Sequence, residues 1–126
     1  MRKLLLAILV SVSTIGYASE YIYAQAFAIQ DRSSGVWTEW SKCIPYIPIE
    51  LNGDQMVIYS ETPQAYSVIN SKDNSTSKEI RWTYYCLDYR YEKCRIEYRQ
   101  YKENGVYENQ LYIIYSDYMW VYDIAD

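Results

Sequence analysis

The stretch Arg81–Tyr122, RWTYYCLDYRYEKCRIEYRQYKENGVYENQLYIIYSDYMWVY, decides the fold. It holds three turn signals, and each turn dictates which side chains face one another across the two strands it joins. Because side chains alternate along a strand, the pairs must also agree about which face is apolar. A turn centred at Arg90 sets Trp82 against Tyr98 and Tyr84 against Ile96, while Arg81 with Arg99 and Thr83 with Glu97 point the other way. Asn104-Gly105 suits a type I′ turn, whose two central residues need positive φ. It sets Tyr98 against Leu111 and Ile96 against Ile113. A tight turn at Ser116-Asp117 places Ile113 opposite Trp120 and Leu111 opposite Tyr122. The three turns predict one continuous inner surface of Trp82, Tyr84, Ile96, Tyr98, Leu111, Ile113, Trp120 and Tyr122. Burying a Trp or Tyr there contributes about 2 to 3 kcal/mol, so this face anchors the domain. A one-residue slip in any hairpin destroys the agreement.

Upstream, a turn at Asn52-Gly53 predicts Ile49 opposite Met56 and Ile47 opposite Ile58. Pro45 and Pro48 each lack a ladder donor, which makes Ile44–Leu51 an edge or irregular strand. Tyr21–Ile29 and Val36–Trp40 read as further strands, and the polar run Asn70–Ser77 as a loop. Turn signals recur roughly every 8 to 12 residues and no segment has an apolar 3.6 period, the rhythm of an all-β domain. The fold class expected is an antiparallel meander of about seven to nine strands, closed into a small barrel or folded into a sandwich.

The first residues read as a signal peptide: Arg2 and Lys3 form the positive end, Leu4 to Val12 the apolar run, and Ser13 to Ser19 the small residues before a cut. Gly16 and Ala18 suit cleavage after Ala18; a cut after Ala26 would use Ala24 and Ala26 but lies far from the apolar run. The organisation expected is a signal peptide over 1–19 and a single all-β domain over 20–126, exported to the periplasm or secreted, with no integral membrane segment after cleavage. Loss of Arg2 and Lys3 leaves ten basic against sixteen acidic residues, a net charge of about −6. That balance disfavours nucleic acid or an anionic membrane as main partner. The basic stretch Arg90–Lys102, interrupted by Glu92 and Glu97, reads as a solvated strand face.

Three Cys in an exported chain allow one disulfide. Cys86 and Cys94 flank the turn at Arg90 and are expected to pair across it, where the Cα spacing suits a disulfide. Cys43 is then a buried thiol or an intermolecular partner. The chain has no His, which removes Ser-His-Asp and Cys-His catalysis and His-ligated metals. With four Gly it has no phosphate-cradling loop. Paired carboxylates are the one catalytic device left, as in glycan hydrolysis, and no pair among sixteen acids stands out. No catalytic residue, cofactor-binding residue, metal ligand or cofactor is therefore expected.

Seventeen Tyr and four Trp suit half-buried barrel positions as well as surfaces that stack sugars or engage protein. Tyr89 and Tyr91, in the turn between the two Cys, predict an exposed contact tip. On the outer face of the last hairpin, Ile114 faces Met119 and Tyr112 faces Val121. This apolar strip is either covered by the N-terminal strand or a second sheet, or open to a partner. The function expected is an exported, non-enzymatic binding or interaction module for an unknown protein, small apolar ligand or glycan. The alternatives are a carrier with an interior barrel cavity and a carboxylate-based glycan hydrolase. An outer-membrane barrel would turn Arg81, Glu97 and Arg99 into lipid, and its eight strands of 9 to 11 residues would nearly exhaust the mature chain.

Gly35-Val36-Trp37 and Ser116-Asp117-Tyr118 resemble two short lipocalin signatures, with Ser116 standing where that family has Thr. The resemblance implies a small barrel. Trp37 with Trp40, the Cys86 and Cys94 pair, and Met119-Trp120-Val121-Tyr122 together resemble the short exported proteins of unassigned function common in Bacteroidota. That likeness spans most of the mature chain and implies an all-β fold and export, with no activity attached.

Overall fold

The computed structural model describes residues 19–125, so nearly all of the expected signal peptide lies outside the described residues. Nine strands follow in order: β1 Glu20–Asp31, β2 Val36–Trp37, β3 Ser41–Asn52, β4 Gln55–Ile58, β5 Gln64–Asp73, β6 Glu79–Asp88, β7 Lys93–Glu103, β8 Val106–Ile114 and β9 Tyr118–Ile124. Each of β3 to β9 pairs antiparallel with its sequence neighbour, and β1 pairs with both β3 and β9. Eight strands thus close into a barrel, with β2 added beside the end of β1. Closure removes the open sheet edges that a sandwich of this size would leave.

The three hairpins of Arg81–Tyr122 have the expected register throughout, including Trp82 with Tyr98, Ile96 with Ile113, and Ile113 with Trp120. The inner face they create continues into Ile22 and Ala24 of β1, Ile49 and Leu51 of β3, and Met56 and Ile58 of β4. Ile49, Ile58, Ile96, Leu111 and Ile113 are fully enclosed and fill the barrel's middle. Trp82 and Trp120 pack against this core while half-buried.

Elsewhere the chain departs from expectation. The β3–β4 loop is Gly53-Asp54, one residue later than Asn52-Gly53, so Ile49 faces Ile58 and Leu51 faces Met56. Gly53 has φ +64° and Asn52 stays in the strand, the requirement of a type II′ turn with Gly at its first central position. Moving the turn by one residue moves the pairing by two, so the apolar face stays inside.

β3 is an internal stave rather than an edge, pairing with β1 and β4. Its pairing to β1 breaks between Lys42 and Ile47, where Ile44-Pro45 sits, and resumes through Pro48, whose carbonyl accepts from the Tyr59 amide at 2.9 Å. The polar run after Val68 is ladder rather than loop as far as Asp73, pairing Asn70–Asp73 with Tyr85–Trp82 past a bulge. Its side chains face water, so polarity did not oppose strand formation. Only two residues of Val36–Trp40 are strand.

Cys86 and Cys94 are cross-strand partners as expected, but the disulfide is not formed. Both are buried free thiols. The Cys86 sulfur turns along its own strand to the Tyr84 carbonyl, 3.6 Å away, instead of across to Cys94. Cys43 is likewise a buried free thiol.

Candidate functional site

In a meander barrel, alternate connections emerge at the same end. The β4–β5 loop, the β6–β7 turn and the β8–β9 turn therefore share one mouth, where β1 also ends. Arg32, just past β1, straps the mouth: its amide bonds the Asp117 carbonyl at 3.1 Å and its guanidinium bonds the Tyr115 carbonyl.

The β6–β7 turn is held by Asp88. One of its carboxylate oxygens accepts from the amides of Arg90 (2.8 Å) and Glu92 (2.9 Å), and the other from the Tyr115 hydroxyl (2.8 Å). Burial pushes this carboxyl up, but the Glu92 amide, the Tyr115 hydroxyl and the Arg90 amide outweigh it and hold it below the usual carboxylate range. Asp88 thus stays ionised and fully engaged. Burial, followed by the bond to Asp88, pushes the Tyr115 hydroxyl well up.

Tyr115, Tyr118 and Trp120 form a mutual stack, with centroids 5.3, 5.5 and 5.7 Å apart and planes 15–22° from parallel. Together with Ser60, Gln64, Asp88 and Tyr89 they line a cleft of about 360 Å³. A second, mostly apolar cleft of about 240 Å³ adjoins it between Phe27, Ile29, Ile47 and Tyr122. Ser60, Gln64 and Trp120 line both clefts.

Polar groups at this shared wall are pre-set. The Tyr66 hydroxyl donates to Gln64 Oε1 at 2.7 Å, and Gln64 Nε2 donates to Ser60 Oγ at 2.9 Å and to the Tyr122 hydroxyl at 3.4 Å. Trp120 Nε1 is buried with no well-aligned hydrogen bond among the described residues, the Tyr122 hydroxyl being the polar group it acts on.

Of the residues singled out from the sequence, Tyr89 reaches the cleft rim, with the Arg90 guanidinium 5.3 Å from its ring centre. Tyr91 is 83% exposed and does not line the cleft. The outer strip is mostly closed: Ile114 and Val121 are buried, Met119 is half-buried, and the Tyr112 ring lies under the Arg99 guanidinium at 4.4 Å. The segment at Trp37–Trp40 reaches this face and shares with Tyr112 and Val121 a groove of about 390 Å³. The Trp37–Trp40 segment thus flanks the Tyr112 and Val121 half of the strip.

The sequence reading missed Ser60, Gln64, Asp88, Tyr115 and Tyr118, and placed Trp120 only in the core. One signal was available: Tyr115 and Tyr118 bracket the Ser116-Asp117 turn, and that turn lies two connections from the Tyr89 turn, at the same barrel end.

The fold and cleft define a small closed antiparallel β-barrel with an aromatic mouth. No protein-family model, curated protein or solved structure matches this chain.

Proposed function

We propose that the mature chain is an exported, non-enzymatic binding module, periplasmic or secreted, which seats a saccharide ring at the barrel mouth. The observation that carries this reading is the stack of Tyr115, Tyr118 and Trp120 on the wall of the mouth cleft, beside the polar side chains of Ser60 and Gln64. Sugars present apolar C–H faces to aromatic walls and hydroxyl oxygens to donors, and this wall offers both kinds of contact. Filling of the barrel's middle by Ile49, Ile96, Leu111 and Ile113 favours a seat at the mouth over an interior cavity. Engagement of Asp88 by the turn leaves Glu61 as the other carboxylate lining the cleft, one acid where glycan hydrolysis uses two, which favours binding over catalysis. The outward charges of Arg81, Arg95 and Arg99 favour a barrel wall facing water.

The experiment is a titration of the purified mature protein, followed by Trp fluorescence and calorimetry, with neutral mono- and disaccharides and a fatty acid as the apolar comparator. Saturable saccharide binding that is lost in Tyr118→Ala and Gln64→Ala, with unfolding midpoints retained, is the expected result. Saturable binding of the fatty acid alone replaces the reading with an apolar carrier.

A further inference from the structure

Away from the mouth, on the outer face of β6 and β7, three arginines converge on one carboxylate. Arg81 and Arg99 are directly opposed across the two strands, and Arg95 and Arg99 flank Glu97 on the same side of β7. Arg81 bonds Glu97 at 3.1 and 3.3 Å, Arg95 at 3.2 Å, and Arg99 at 2.6 and 3.1 Å. Glu97 is only 2% exposed, so it lies beneath the guanidinium groups rather than in water, unlike the solvated face read from the sequence.

One carboxylate compensates one of the three cations. Like charges directly opposite one another repel, so the pairing of Arg81 with Arg99 depends on the Glu97 carboxylate that bridges them. The other acids of this face stand further off: Glu79, near enough to act on the Tyr112 hydroxyl, and Glu108 and Asp123 form no ion pair with the three arginines among the described residues. Asp123 instead accepts from Gln25 at 2.7 Å.

Several guanidinium donors remain unspent. Arg95 engages Glu97 through Nε, leaving both terminal nitrogens without a partner among the described residues. Arg81 Nε is buried without an acceptor. Arg99 is braced on the Tyr112 ring, whose hydroxyl is tied to Gln110 at 2.7 Å. Lys72, opposite Thr83 in the row that contains Glu97, adds a further positive charge. All of this stands in a chain with a formal net charge of −4.

We propose that this cluster is a binding site for a soluble phosphate monoester, independent of the saccharide seat at the mouth. A monoester dianion matches the two uncompensated charges, and its oxygens suit the planar forks of arginine. Glu97 is the positioning residue that holds the three forks in place. The negative charge of the whole protein opposes approach to an anionic bilayer, so the phosphate is carried by a soluble molecule.

The test is an NMR titration of the purified mature protein, following the arginine side-chain N–H signals. The probes are inorganic phosphate, sulfate, and phosphatidylcholine vesicles containing phosphatidic acid. Saturable shifts at Arg81, Arg95 and Arg99 are expected, with a Kd on the order of 1 to 10 mM for bare phosphate. Affinity for phosphate should rise as pH passes about 6 to 7 and its second proton leaves, whereas sulfate, a dianion throughout, shows no such rise. Arg95→Gln weakens binding roughly tenfold and Arg95→Lys recovers part of it. If Arg95→Gln lowers the unfolding midpoint, Lys72→Gln, on an exposed side chain, carries the same test with a loss of about threefold. Absence of saturable shifts to about 50 mM phosphate overturns the proposal. So does unchanged affinity in a well-folded Arg95→Gln, or binding to the vesicles without binding to inorganic phosphate.

Discussion

Replacing Glu97 by Gln should destabilise the barrel by about 3 kcal/mol, because the change keeps side-chain volume while removing the charge that three arginines share. Each charge-assisted bond to the carboxylate contributes about 1.5 to 3 kcal/mol when fully desolvated. Here the arginine side chains are 36%, 41% and 28% exposed while that of Glu97 is 3% exposed, so the arginines rehydrate and much of that value is recovered. Roughly 0.5 to 1 kcal/mol per arginine remains, with a few tenths more from the unscreened repulsion of Arg81 and Arg99. The sum, about 2 to 3.5 kcal/mol, only reaches the low end of the range for breaking a buried ion pair.

Urea unfolding followed by Trp fluorescence should show the midpoint falling by about 2 M at unchanged slope. The thermal midpoint should fall by about 12 °C, at roughly 4 °C per kcal/mol for a domain of this size. The pH dependence separates charge from packing. Burial pushes the Glu97 carboxyl up, but the bonds to Arg99 and Arg81 outweigh it and hold it below its ordinary value of 4.5. A carboxyl lowered in the folded state contributes stability that is complete above the unfolded value and is lost as pH falls through the folded one. The gap between wild type and Glu97→Gln should therefore be constant above about pH 5 and close progressively below it. A difference under about 0.5 kcal/mol at neutral pH, or one that stays constant to about pH 3, refutes the reasoning.

Two further outcomes are expected. Burial pushes the Cys86 thiol up to about 12 and the Cys94 thiol up to about 11, and the Cys43 thiol is also raised, so a thiol reagent at pH 8 should leave the native protein unlabelled and modify it in denaturant. Mass spectrometry checks this, and native labelling within minutes contradicts it. Tyr91 holds φ 62°, a conformation costly for a bulky residue, so Tyr91→Gly should raise stability by up to about 1 kcal/mol by urea unfolding. A loss of stability instead would show that the Tyr91 ring has a packing role.

Local pairing rules made Arg81–Tyr122 legible. Three turns each specified a register, and a one-residue slip in any pairing would have set Ile96 or Ile113 against the polar face, so the sequence over-determined the inner face. Asn104-Gly105 was read correctly because the turn needs two positive φ values, 51° and 81°, which that dipeptide tolerates. Asn52-Gly53 was misplaced by one residue because Gly also suits the first position of the rival turn type, and both registers bury the same face.

What only the tertiary structure decided depends on contacts between distant segments. Closure of β1 onto β9 joins residues about a hundred positions apart, and no local pattern encodes such a contact. The gathering of Gln64, Tyr115 and Trp120 at one mouth follows from that closure. Burial of Glu97 among Arg81, Arg95 and Arg99 was equally hidden, since alternation alone assigns an acid between two basic residues to solvent. The sequence by itself determined which face of each strand is apolar, because side-chain alternation is a property of the single strand. Three-dimensional packing decided which outward groups are sheltered and which buried donors lack partners, because those depend on what lies above the sheet.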